Sequence, residues 1–385
     1  MSDEDHGVPE EPPGDRAEVD HDGPAPAEVD DDGPAPAEVG GEHRSWGRRL
    51  RIVAVAVVAL AAVFAVAVGV FAVHLDSNIE RIGDPFADLP SRPPVVTPSP
   101  EPSEEPEPEL PMNVLLLGSD SRISAGDPSA WEFGAQRTDV MMLVHITADR
   151  QSVQVMSIPR DSWVEIPGYG MAKLNAAYSF GGPPLLIQTF EALTGVHIDH
   201  FAMTDFESFA DITDALGGVH LTLLETMHRG DVTLPPGEHL MTGAQALVYV
   251  RERFHLPRGD FDRVLRHQAW MRAILAEVDA EGLLRDPARV VRFLDAVSHS
   301  IAVDAGLTRT VMQELLWECR EVTSADVDFF TVPIQGISTS DDGQSIVLLN
   351  RPHFDELMAA VREDRIREYL ATHGDDVDRL PTVPR

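Results

Sequence analysis

The sequence predicts one α/β domain carried behind a single membrane-spanning helix, and three observations predict it. An uncharged apolar run covers Ile52–Val73, a Pro- and Glu-rich stretch follows, and from Met112 onward short apolar strands alternate with helical patterns closed by Gly. The chain has 385 residues, with 64 Asp and Glu against 30 Lys and Arg and a formal net charge of -34. A surface this negative repels phosphate backbones, so nucleic-acid binding, which depends on Lys and Arg displacing counterions, is not expected. The single cysteine, Cys319, has no second cysteine with which to form an internal disulfide and does not make a Cys-rich metal site.

Residues 1–43 hold 15 acids and one base, Arg16, with abundant Pro and Gly and a decapeptide repeat, AEVDHDGPAP then AEVDDDGPAP. Such a composition cannot bury enough apolar surface to order itself, so a disordered tail is expected. Arg44, Arg48, Arg49 and Arg51 then precede the 22 uncharged residues Ile52–Val73. As a helix rising ~1.5 Å per residue this run matches a hydrocarbon core of ~30 Å. Arginines before it and His74, Leu75 and Asp76 after it put the N-terminus in the cytoplasm and everything beyond residue 74 outside. The anchor with its basic flank is 44–74. Residues 75–111 are expected to be an extended extracellular linker, 112–371 the folded domain, and 372–385 a polar tail that frays.

Within 112–371, NVLLLGSD, DVMMLVHI, SVQVMSIP, HLTLL, LVYVRER and VDFFTVP are expected as strands. LLIQTFEALTG, FESFADITDALGG, Asp262–Glu277, Pro287–His299, Leu307–Cys319 and His353–Glu363 are expected as helices. Three clusters carry chemistry. Asp120 follows the first strand and Asp139 opens the second; two carboxylates at strand ends suit a hard cation, or else serve as turn and cap residues. Arg251 and Arg253, two apart on an expected strand, share a side of it, and Arg263, Arg266 and His267 share a helix face that Asp260 caps. These arginines form either an anion site or an ion-pair network with Glu252, Asp260 and Asp262. Arg160, Asp161, Asn175 and Lys173, the one lysine beside 29 arginines, lie in a loop-rich segment that lines a pocket mouth, unless Arg160 and Asp161 pair with each other. The sequence has no nucleophile elbow, no phosphate-binding glycine loop of the Walker type and no HExxH, which argues against a serine hydrolase or a zinc enzyme.

Seven ordered motifs, NVLLLGSDSR, RTDVMMLVHI, VMSIPRDSWVEIPG, KLNAAYSFGG, ALGGV, LPPGEHLMTGAQALVYVRER and GDFDRVLRHQ, resemble those of the LytR-CpsA-Psr family of membrane-anchored cell-wall enzymes. The resemblance runs from Met112 to Gln268 and more loosely to residue 366. It implies an αβα sandwich with a central mixed sheet flanked by helices. It implies a phosphotransferase that moves a glycopolymer from a polyprenyl diphosphate carrier to peptidoglycan and releases polyprenyl phosphate, with pyrophosphate cleavage as a side activity. The alternative is a non-catalytic scaffold that binds polyprenyl phosphate lipid. By the same resemblance Asp120 and Asp139 match a Mg²⁺-binding pair, with Mn²⁺ as substitute, and Arg137, Arg160, Arg251, Arg253 and Arg263 match arginines that contact the diphosphate, with Lys173 beside them. Asp139, Arg137 and Asp161 form the expected catalytic set, either Asp serving as base. His267 stands where the family commonly has Gln; it keeps a hydrogen-bond donor and adds a group that titrates near neutrality.

Overall fold

A computed structural model describes residues 43–95, 110–119, 138–229, 232–252, 256–280, 283 and 285–384. The expected disordered tail and its repeat lie outside the described residues. The chain divides into two units, Met1–Phe64 and Ala65–Arg385, with the division inside the first helix, α1 (His43–Asn78). Within α1, Val57–Asn78 is long and apolar enough to cross a membrane, and none of it is buried.

The second unit is built on an eight-stranded mixed sheet in the order β1-β12-β7-β2-β3-β4-β13-β16. Its strands are β1 (Glu80–Arg81), β2 (Met112–Ser119), β3 (Thr138–Ile146), β4 (Val153–Ile158), β7 (His200–Asp205), β12 (Ile301–Val303), β13 (Val327–Thr331) and β16 (Asp378–Arg379). Four two-stranded sheets complete the strands: β5 (Trp163–Ile166) with β6 (Gly170–Lys173), β8 (Val219–Leu223) with β11 (Gly237–Met241), β9 (Met227–Arg229) with β10 (Val232–Leu234), and β14 (Ile334–Thr339) with β15 (Ser345–Leu349). The central strands are near-continuous apolar runs because both faces are covered. Leu115, Leu117, Met141, Leu143, Met156 and Phe201 bury one face under α2 (Leu174–Thr194), α8 (Arg351–Arg362) and α9 (Ile366–His373). Leu116, Val140, Met142, Val155 and Phe329 point the other way, toward α4 (Gly243–Arg251) and α5 (Asp260–Asp279). A further core joins α3 (Phe206–Ala215), α4, α5, β8 and β11 around the fully buried Trp270, with α6 (Pro287–His299) packed at its margin. The mixed sheet between helical layers agrees with the expected sandwich.

Three local expectations are corrected. Within LVYVRER, Leu247–Arg251 is the end of α4 and not a strand: Thr242 caps the helix and exchanges hydrogen bonds with Gln245 in a capping box, and that local signal outweighs the β-branched and aromatic run. The stretch 75–111 is not linker throughout. One residue after α1, β1 pairs in parallel with β12, and Arg92 then binds Glu191 at 2.7 Å and stacks 4.6 Å from the Phe86 ring, so 80–95 belong to the folded unit. The tail 372–385 does not simply fray. Its β16 pairs Asp378 with Thr331 and Arg379 with Phe330, and Arg272 donates to the carbonyls of Pro381 and Thr382.

Asp304 fixes the edge where β1, β12 and β7 meet. Its carboxylate accepts from the backbone N–H of Phe201 at 3.0 Å, Gly306 at 2.7 Å and Leu307 at 3.1 Å, and lies 3.1 Å from His200 Nδ1. Burial alone would push this carboxyl up, but the hydrogen bonds from His200 and from these backbone N–H groups more than offset it and hold it below the ordinary carboxylate value. Because the folded value is the lower one, the stabilisation is complete above the ordinary carboxylate range and is lost as pH falls through the folded value. Asp304→Asn is therefore expected to lower unfolding free energy by about 1–3 kcal/mol at neutral pH, with the gap to the native chain closing below ~pH 4, as read by urea denaturation at several pH values.

Candidate functional site

Strand β4 runs out through Pro159, Arg160 and Asp161, and the turn that follows is pinned by its own backbone. Asn175 N–H donates to Arg160 O at 3.1 Å, Val347 N–H to Asp161 O at 2.9 Å, and Ser162 Oγ to Pro159 O at 2.7 Å. With the carbonyls so held, the side chains of Arg160 and Asp161 line a cleft of about 810 Å³ whose other wall is the start of α5, with Arg258, Asp260, Phe261 and Ile337 around it. Asp260 binds two arginines at once: Arg160 Nε lies 3.2 Å from one carboxylate oxygen and Arg263 Nη2 lies 2.9 Å from the other. Arg263 is only 5% exposed, whereas Asp260 is 44% exposed and faces the opening. Lys173 Nζ holds Asp161 at 3.1 Å. The charged groups lining this mostly apolar cleft are Arg160 and Arg258 with Asp161 and Asp260, and an anion entering it would compete with Asp260 for guanidinium groups already aimed at one point.

One turn beyond Arg263 on α5, the ring of His267 is buried and lines an apolar cavity between the helix and the sheet. Leu116, Val140, Met142, Phe209, Trp270 and Met271 enclose it, and it measures about 40 Å³. A cleft edged by charged groups and a smaller apolar cavity thus both border the face of α5 that carries Asp260, Arg263, His267 and Met271, the spacing that places residues on one side of a helix.

The structure brings together Arg160, Asp161, Lys173 and Arg263, with His267 a turn below. It separates Arg266 from them. That side chain donates to Tyr249 O at 3.0 Å and lies 4.7 Å from the Tyr249 ring, so it ties α5 to α4. Burial pushes the Tyr249 hydroxyl up to about 12 and pulls the Arg266 guanidinium down. Arg251 closes α4 and lies on no strand. Arg253, Arg137 and Asp120 lie outside the described residues. Asp139 is in β3 and is the residue left unpaired at a bulge, where the register passes from Gly118↔Val140 to Ser119↔Thr138. Among the described residues no group of three or more His, Cys, Asp or Glu gathers as a metal site.

Sequence reasoning gave Asp260 the role of a cap, but Gly259 is the N-cap and Asp260 bridges the two arginines instead. Nothing local signals this, because Arg160 is brought to it by the fold. Gln268 was also given no role, yet it is fully buried and donates to Ser157 Oγ at 2.8 Å and Phe330 O at 3.0 Å, fastening α5 to β4 and β13.

Comparison with known proteins accords with this architecture. The model of the LytR_cpsA_psr family matches residues 92–363, and the chain belongs to that family of cell-envelope proteins. It is similar to the cell wall biosynthesis protein LcpA of Corynebacterium glutamicum, 29% identical over 62% of this chain and 53% of that protein. The probable cell wall biosynthesis protein LcpB of the same organism is 37% identical over 50% of this chain and 48% of that protein. The chain thus spans about half the length of these two curated relatives. Among solved structures, Bacillus subtilis TagV superposes with a TM-score of 0.55 at 21% identity, covering 67% of this chain and 98% of that one. TagT bound to LI-WTA gives 0.52 at 22% identity, covering 72% and 98%. These two likenesses show a shared fold.

The division of labour among the arginines is testable. Arg263→Gln is expected to weaken binding of a short-chain prenyl diphosphate by ~10-fold or more, the loss of one charge-assisted contact. Arg266→Gln is expected to lower the melting temperature while leaving that affinity within about 2-fold, a smaller effect than one lost contact of this kind. Titration calorimetry and thermal denaturation on both variants check the contrast.

Proposed function

We propose that this chain is a membrane-anchored transferase that moves an envelope glycopolymer from a polyprenyl diphosphate carrier to peptidoglycan. The observation that carries the reading is that one face of α5 borders both a cleft where Asp260 meets Arg160 and Arg263 and, a turn or two on, an apolar cavity beside His267, an order that matches a ligand with a diphosphate head and an isoprenoid tail. Similarity to the two corynebacterial cell wall biosynthesis proteins, and to TagT, solved bound to LI-WTA, supports a cell-wall glycopolymer as cargo. α1 serves as the anchor, and the arginines before it favour an external position for the domain.

In this reading the diphosphate displaces Asp260 from Arg160 and Arg263, and the two guanidinium groups neutralise its non-bridging oxygens. An acceptor hydroxyl of peptidoglycan attacks the phosphorus next to the sugar. A new P–O bond forms, the bond from that phosphorus to the bridging oxygen breaks, and polyprenyl phosphate departs with the electron pair. The hydroxyl proton passes to a carboxylate, Asp161 or Asp139. Lys173, 3.1 Å from its carboxylate, orients Asp161 while the site waits for substrate. Arg137, Arg251 and Arg253 complete the anion contacts by family resemblance. Asp120 and Asp139 would hold Mg²⁺, or Mn²⁺ in its place, which when bound supplies further positive charge at the phosphates. Met142 and Met271, unbranched and adaptable, are the side chains suited to make way for an isoprenoid chain in the narrow cavity.

Purified chain incubated with a polyprenyl diphosphate-linked saccharide and peptidoglycan fragments is expected to yield joined product by mass spectrometry, dependent on Mg²⁺. Asp139→Ala is expected to reduce it ~10²-fold or more. Lipid binding without product under every metal condition would instead favour the scaffold.

A further inference from the structure

The helix α7 (Arg309–Glu318) buries none of its residues, although its last turn reads Leu315, Leu316, Trp317. Leu316 and Trp317 are each 71% exposed, the greatest exposure of any large apolar side chain in this chain's described residues. A soluble surface rarely leaves adjacent Leu and Trp uncovered, and their exposure implies a partner. The position of α7 supplies its identity. Its first turns face residues 65–73 of α1 across a cleft of about 750 Å³, lined by Val66, Val70 and Val73 on one side and by Arg309 and Gln313 on the other.

The end of α1 is fixed relative to the rest of the unit. Asn78 donates to Asp295 at 3.2 Å and Ser298 at 3.1 Å, His74 lies 3.0 Å from Asp295, and Arg81 binds Asp76 at 2.8 Å. Glu318 at the other end of α7 is bound by Arg150 at 2.8 Å, which neutralises it and anchors that end to the β3–β4 turn. Arg320 stacks 4.7 Å from the Trp317 ring and donates to its carbonyl at 2.8 Å. An indole with an arginine on its face, beside an exposed Leu, has the chemistry of the interfacial zone of a bilayer, where rings sit at headgroup depth and guanidinium groups meet lipid phosphate.

We infer that α7 is a second membrane contact: Leu316 and Trp317 enter the outer-leaflet interface next to the anchor, and acyl chains fill the cleft between α7 and α1. The inference rests on the reading of α1 as the anchor. With α1 continuing into β1 after one residue and α7 pressed to the lipid, the domain has two points of attachment and therefore a set orientation, rather than swinging on a tether.

The test uses the full-length chain in phosphatidylglycerol nanodiscs with Cys319→Ser, which removes the single native cysteine, and a nitroxide placed in turn at Leu316→Cys, at Val63→Cys within α1 and at the exposed Leu240→Cys on β11. Relaxation by oxygen and by a water-soluble nickel chelate reports depth. The expected result is that 316 favours oxygen as 63 does, while 240 favours the nickel chelate. A label at 316 behaving like 240, with 63 still in lipid, overturns the inference and leaves the anchor standing. Exclusion of both reagents at 316 overturns it in favour of a protein covering. An aqueous signal at 63 removes the anchor and the inference together.

Discussion

Everything at the site depends on how α5 is seated on the sheet. The helix crosses the face formed by Leu116, Val140 and Met142, and a purely apolar contact there would leave its axial position loosely set. Gln268 removes that freedom by donating to Ser157 Oγ and Phe330 O from a fully buried position, so that a slide of one turn would strand its amide without partners. Held at this height, the first turn of α5 stands opposite the exit of β4, and Asp260 meets both Arg160 and Arg263. Arg266, bound to Tyr249, fixes the rotation of the same helix against α4.

The electrostatics follow from that placement. The chain is strongly acidic, yet the buried Arg263 and the partly buried Arg160 converge on one carboxylate, Asp260. Asp260 offsets part of the charge of the two guanidinium groups and holds them in place, and its exposure makes it readily displaced. An anion bearing two phosphates brings more charge than Asp260 and meets groups whose reorganisation has already been done by the fold. Under the proposed function the apolar cavity below would discriminate further, since a nucleotide has no use for it and an isoprenoid tail does.

Much of this was legible in the sequence, and the parts that were not have definite causes. Apolar runs such as NVLLLGSD and DVMMLVHI declare doubly covered strands, and Pro287–His299 is a helix with the predicted ends because Asp286 caps it and Pro287 opens it. LVYVRER misled because its β-branched and aromatic residues pack in the core between α3 and α5 as well as they would in a strand, and the Thr242–Gln245 box that decides the matter sits upstream. Arg160, Arg263 and Lys173 were identifiable as charges in motif context, but the bridging by Asp260 and the latch by Gln268 are tertiary facts with no local periodicity. β1 and β16 are two residues long, too short for any pattern, and form only because a sheet edge is there to receive them.

The claim that α5 joins a diphosphate cleft to an isoprenoid cavity is tested most directly by photolabelling. A short prenyl diphosphate carrying a diazirine at the far end of its chain would be bound, irradiated and mapped by peptide mass spectrometry. The account predicts adducts on Trp270 or Met271 of α5 and on Leu116 or Met142 of the facing strands. Adducts confined to the outer hairpin around Ile337, or scattered over the surface, would contradict it.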